Sequence, residues 1–174
     1  MTISNEEYTN RVKSRASIGF YANLLRLPTL VKAMSDMRRA GEAIDVEKKA
    51  LFYGRSNGRP RLAFMPPVIE GMTQTDQIIM HGVMGIASET AEVLEQYLNF
   101  IEMGEPLDMV NIQEELGDLL WYITLLADAT GTSLSRLMQQ NDAKLEKRFG
   151  AVFSEDRANH RNLVEERKTL EDNS

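Results

Sequence analysis

Apolar residues recur at helical spacing along most of the chain, and no stretch of useful length alternates strictly between apolar and polar. Segments 5–40 and 43–53 carry the pattern first, with Leu24, Leu25, Leu27, Leu30, Val31 and Met34 on it. Pro28 is placed to kink or restart the first helix, and Gly41 to stop it before the second begins. Residues 54–74 are punctuated by Gly54, Gly58, Pro60, Pro66, Pro67 and Gly71 and read as a long loop. A long helix is predicted over 75–101, broken by Gly104-Glu105-Pro106. Asp108 then caps a helix that runs to about Ala129. Gly131 ends it, Thr132 or Ser133 caps a helix over 134–149, and Gly150 closes that one. The charged stretch 154–170 reads as a last helix before a frayed polar tail at 171–174. The predicted fold is an all-α helical bundle without internal repeats.

A length of 174 residues fits one domain at roughly 100–200 residues each. Composition narrows the chemistry further. Cysteine is absent, which removes disulfides, zinc–thiolate sites and thiol nucleophiles, and only His81 and His160 are available as imidazole ligands. The net charge of −6 gives no general attraction to nucleic acid or to an anionic membrane. No run of eighteen apolar residues occurs, and the N-terminus lacks a basic-then-apolar pattern, so a cytoplasmic setting is expected.

The informative feature is a pair of acidic motifs on consecutive helices. Glu89-Thr-Ala-Glu92 and Glu115-Leu-Gly-Asp118 each set two carboxylates three residues apart. On a helix that spacing leaves them about 60° apart on one face. Antiparallel packing across the turn near Gly104 would bring all four together. Asp118 is followed by Leu119, Leu120, Trp121, Tyr122, Ile123, Leu125 and Leu126, which cover nearly the whole circumference and predict a central, buried helix. Ionised acids in such surroundings are costly without a partner. No lysine or arginine lies between Gln74 and Gln113 to neutralise them. Either they take up protons or a cation sits among them. Oxygen ligands alone favour Mg²⁺, Mn²⁺ or Ca²⁺. For a single Glu-x-x-Glu, a solvated helix face would be the sufficient explanation. It explains two pairs on adjacent helices much less well.

At these residues the chain resembles the MazG-like all-α nucleoside triphosphate pyrophosphohydrolases. The resemblance runs from Ser88-Glu89-Thr90-Ala91-Glu92 through Glu115-Leu116-Gly117-Asp118 to Asn141-Asp-Ala-Lys144-Leu145-Glu-Lys-Arg148. A similar tail follows at Asn159 to Arg167, so the likeness covers about 75–170 in order. It implies a pyrophosphohydrolase core at 75–170, with 1–74 as an N-terminal helical extension and loop. There are departures. Ser88 stands where the family has a glutamate, and the first acidic helix is not followed by the family's lysines. A comparable string, Lys48-Lys49-Ala-Leu-Phe52-Tyr53-Gly54-Arg55, occurs upstream. It reads as helix surface; the alternative is a basic element supplied to the pocket, even across a subunit boundary.

The resemblance implies cleavage of an NTP or dNTP to the monophosphate and pyrophosphate. Mg²⁺, with Mn²⁺ as a substitute, would be held by Glu89, Glu92, Glu115 and Asp118. Glu92 or Glu89 would accept the proton of the attacking water. Lys144 and Arg148 become candidates for phosphate contact and Asn141 for base, sugar or phosphate; the alternative is an exposed helix end with cations set against the dipole. His81, two turns before Glu89, could line the groove and touch a base, although a partly buried structural role explains it too. Trp121 and Tyr122, and Met80, Met84, Met103 and Met109, read as core. A homodimer or homotetramer is expected. Related readings are a dUTPase-like or dCTPase-like enzyme, a phosphoribosyl-ATP or alarmone hydrolase, or a non-catalytic metal-binding interaction protein.

Overall fold

A computed structural model describes residues 3–60 and 64–172. They form eight α-helices and no strand: α1 (Asn5–Arg15), α2 (Leu27–Tyr53), α3 (Pro67–Glu70), α4 (Gln74–Met103), α5 (Met109–Ala129), α6 (Leu134–Phe149), α7 (Glu155–Asn159) and α8 (Leu163–Asp172). The predicted all-α class is what is found. None of these helices is long and apolar enough to cross a membrane. The chain divides into two compact units, Leu24–Gly131 and Met1–Asn23 with Thr132–Ser174.

In the first unit α4 is the central helix, with α2 and α5 packed against it. Its start is fixed by a reciprocal cap, in which Thr73 accepts from the backbone N–H of Asp76 and the Asp76 carboxylate accepts from that of Thr73. Asp108 caps α5 as predicted, accepting from the N–H groups of Val110 and Asn111. Two close approaches set the spacing of the helices. A Cβ on Gly41 would lie 2.2 Å from the Cβ of Ala91, so only glycine lets α2 reach α4 there. A Cβ on Gly85 would lie 2.2 Å from the Tyr122 ring, which fixes α4 against α5.

Several sequence expectations need correction. The helical pattern over 5–40 forms two helices: α1 ends at Arg15, and Pro28 restarts the pattern in the first turn of α2, where its missing N–H costs nothing. Gly41 does not stop a helix; it lies buried inside α2, because close packing on α4 outweighs glycine's weak helix propensity. The loop at 54–74 contains the short α3. Residues 154–170 form two helices, separated at 160–162. The helix after Asp108 is not buried all round. Leu116, Leu120, Trp121 and Ile123 are exposed on α5, and only Glu115, Tyr122 and Ala127 are buried, because α4 covers one side only. Met103 and Met109, read as core, are exposed near the α4–α5 turn.

In the second unit α1, α7 and α8 pack against α6. Arg15 is buried there, donating to Asp142 at 2.6 Å, to Glu146 at 2.8 Å and to the carbonyl of Gly150 at 2.9 Å. Arg11 pairs with the same Asp142. A buried guanidinium with each of these bonds made ties α1 to α6, and losing one partner would strand the other.

The two glycine environments give a direct test. Gly85→Ala forces the α4–α5 contact apart and is expected to destabilise the protein by about 1–3 kcal/mol. Gly117→Ala, at an α5 position with nothing within 4 Å of the new Cβ, should be neutral or stabilising by about 0.5–1 kcal/mol. Urea denaturation of both variants checks the pair; equal effects would contradict the packing described.

Candidate metal centre

The acids of α4 and α5 meet where the two helices pack. One carboxylate oxygen of each of Glu89, Glu92 and Glu115 lies within 4.8 Å of the other two. Glu89 and Glu115 are buried, at 6% and 5% exposure, and Glu92 is less so. Asp118 is exposed and outside this trio, so the expected quartet is three acids with an outlying fourth. The reason is local: three residues beyond Glu115, Asp118 is turned toward the side of α5 that α4 leaves open. Its charge still reaches Glu115.

A cation does reach the acids, from outside their own helices. Lys48 of α2, read from sequence as surface, is buried at 3% exposure. Its ammonium donates to Glu89 Oε1 at 2.9 Å and to Ser88 Oγ at 2.7 Å, and lies 3.1 Å from Asp45 Oδ1. It also sits 5.0 Å from the centre of the Tyr122 ring. Ser88 is the most enclosed side chain among the described residues and donates to the carbonyl of Gly85 or to Glu89 Oε1. Beside this point a cleft of about 310 Å³ opens between α2 and α4, lined by Asp45, Ser88, Glu92 and Glu95 among others.

Charge in the site is unbalanced: three carboxylates face one ammonium. Burial, then the charge of Glu92, pushes Glu115 up to about 7, against the hydrogen bond from Asn111 Nδ2 at 3.0 Å. Glu92 is also raised, by burial and then by Glu89 and Asp45. For Lys48 burial works against the charge, but Glu89, Asp45 and Tyr122 outweigh it and hold the ammonium above its ordinary value. Burial, together with the hydrogen bond to Tyr53, raises Tyr122 to about 12, so it remains a phenol. The site therefore has excess negative charge, hard oxygen donors and an opening to one side. That donor set fits a divalent cation such as Mg²⁺, Mn²⁺ or Ca²⁺, with Glu89, Glu92 and Glu115 as its ligands.

His81, on the same face of α4, is half-buried in an aromatic group. It stacks on Phe52 with ring centres 4.1 Å apart and meets Tyr53, Trp121 and Tyr122 edge-on. Burial, then the charge of Lys48, lowers its pKa, and its Nε2 is buried without a partner among the described residues. Tyr122 is core as predicted, but Trp121 is 54% exposed. The other predicted substrate residues lie in the second unit. Asn141 donates to the Tyr8 hydroxyl at 2.7 Å. Arg148 donates through Nε to Glu166 at 2.7 Å, and Arg161 pairs with that same carboxylate. Lys144 is half-buried on α6.

The sequence model of the MazG nucleotide pyrophosphohydrolase domain matches residues 74–153. This stretch belongs to the MazG-like family. The MazG match takes in Glu89, Glu92, Glu115 and Asp118 together with Asn141, Lys144 and Arg148, and leaves Asp45 and Lys48 outside. No curated protein and no solved structure matches the chain. From sequence Lys48 reads as helix surface, with a basic element reaching the pocket as the alternative, although a signal for the alternative exists. Met34, Gly41 and Lys48, the buried residues of α2, recur every seven positions, so the lysine stands on the inward stripe.

Glu115 makes stability depend on pH and metal in a defined direction. In the folded chain it keeps its proton up to about pH 7, whereas an ordinary glutamate releases it near 4.5. The folded state binds more protons in that window, so metal-free stability falls as pH rises through it. A bound divalent ion opposes this, because it needs the carboxylate form. Metal-stripped protein should show a Tm that falls from pH 5 to pH 8, and millimolar Mg²⁺ should raise Tm more at pH 8 than at pH 5. A Mg²⁺ effect equal at both pH values would contradict the charge balance described.

Proposed function

We propose that the protein is a Mg²⁺-dependent nucleoside triphosphate pyrophosphohydrolase, converting an NTP or dNTP to the monophosphate and pyrophosphate. The observation that carries this is the trio Glu89, Glu92 and Glu115, two of them buried and the third half-buried, found inside a MazG-matching stretch. Those three carboxylates hold the ion, with Asp118 as an outer acid. Once bound, Mg²⁺ would offset the triphosphate's charge, polarise the phosphorus and acidify water.

The roles of the side chains follow from their surroundings. Oε1 of Glu89 already accepts from Lys48, with the Ser88 hydroxyl beside it, which suits a fixed ligand and not a proton carrier. Glu92 is less buried, has no bond to Lys48, and borders the cleft. It is the better proton acceptor for the attacking water. Water adds to phosphorus, the anhydride bond between the α and β phosphates breaks, pyrophosphate leaves, and the water's proton passes to Glu92. The family resemblance makes Lys144 and Arg148 candidates for phosphate contact and Asn141 for a polar contact. Arg148 would have to share or release Glu166 to make that contact, which leaves Lys144 the stronger of the two. His81, neutral and stacked, presents an aromatic wall suited to a base.

Leu116, Leu120 and Ile123 form an exposed apolar stripe on α5 with Trp121 beside it, the kind of surface that marks an interaction face. A homodimer or homotetramer that covers it completes the proposal, in a cytoplasmic setting without nucleic acid or membrane as a partner.

A panel of common NTPs and dNTPs with Mg²⁺, read for pyrophosphate against orthophosphate, tests the assignment. Pyrophosphate and a nucleoside monophosphate are expected from at least one member. Glu115→Gln should lower that turnover by about 100-fold or more while leaving the metal-free fold intact, since the substitution removes a repelled charge. Folding and Mg²⁺ binding without turnover of any nucleotide would favour a non-catalytic role instead.

A further inference from the structure

Lys48 does more than neutralise a neighbour. It is an ammonium at 3% exposure, inserted from α2 between Ser88 and Glu89 of α4 and Asp45 of its own helix. Its position is set by packing on both sides. Gly41, two turns earlier on the same stripe, brings α2 to within contact of Ala91, and the Tyr122 ring backs the ammonium at 5.0 Å. Lys49 pairs with Asp45 from the next position, so the second α2 cation is held outside the trio. Glu89 Oε1 accepts from Lys48 at 2.9 Å, and the Ser88 hydroxyl, whose one proton goes either there or to the Gly85 carbonyl, lies 3.0 Å from the same oxygen. That leaves Glu89 with one oxygen free of them, enough to bind one ion but poorly suited to bridge two.

We propose that Lys48 is a built-in countercation that stands where a second metal ion would otherwise be needed, so that the acidic site of this chain takes a single divalent ion. Lys48 is thus a positioning residue: it fixes the Glu89 carboxylate and sets metal number without touching the reacting atoms. The inference rests on the reading of Glu89, Glu92 and Glu115 as metal ligands. It is specific to this chain's pairing of Lys48 with Ser88, since a second acid at position 88 would leave the ammonium outnumbered further.

Isothermal titration of the full-length protein with Mn²⁺ alone, at pH 8, tests it beside Lys48→Met and Lys48→Gln. One Mn²⁺ per chain is expected for the wild type. Both variants should either bind a second ion or bind the first about tenfold or more tighter, because a fixed positive charge within a few ångströms has been removed. Their metal-free Tm should fall, and Mn²⁺ should restore more of it than it adds to the wild type, which a purely structural lysine would not produce. Two ions in the wild type, or unchanged stoichiometry and affinity in the variants, would overturn the proposal while the metal site stands. No Mn²⁺ binding by the wild type would overturn the metal site itself, and this inference with it. Should both variants fail to fold, the wild-type stoichiometry decides alone.

Discussion

Three carboxylates and one ammonium are held together, largely out of water, where α2, α4 and α5 meet. Desolvation makes each charge expensive, and like charges at this range raise the cost again. The molecule meets that constraint in three ways. Lys48 pairs with Glu89, Asn111 donates to Glu115, and Glu115 keeps a proton until about pH 7. None of these removes the excess negative charge at neutral pH. A site built to keep such an excess suits a divalent cation and, through it, a polyphosphate.

The packing serves this arrangement. Glycines at 41 and 85 let α2 and α5 approach α4 closely enough for Lys48 and Glu115 to reach Glu89 and Glu92. Few large apolar side chains are buried, and much of α5 remains open. The unit therefore gives up part of its hydrophobic core to accommodate a polar centre, a pattern associated with function at the expense of stability.

The helices were mostly legible in the sequence because their signals are local. Asp108 and Ser133 are caps, and Gly104 and Gly150 close helices by adopting positive φ. Gly41 misled because the same residue that ends a helix in isolation also permits close packing, and only the partner helix decides between the two. The acids of the site were legible through their spacing, since three and four residues bring side chains onto one face. Their counterion was legible only as an alternative to helix surface, because Lys48 is 41 residues away from Glu89 and the pair is made by tertiary packing. Asp118 stands apart from the trio for a related reason. An apolar run indicates that a helix has greasy faces, but not which of them a neighbouring helix will cover.

The central claim is that a divalent ion belongs among Glu89, Glu92 and Glu115. Anomalous diffraction from crystals soaked in Mn²⁺ tests it most directly. A single strong peak within bonding distance of all three carboxylates, with Lys48 still on Glu89, is the predicted result. Three acids that diverge into solvent, with no peak between them, would contradict it.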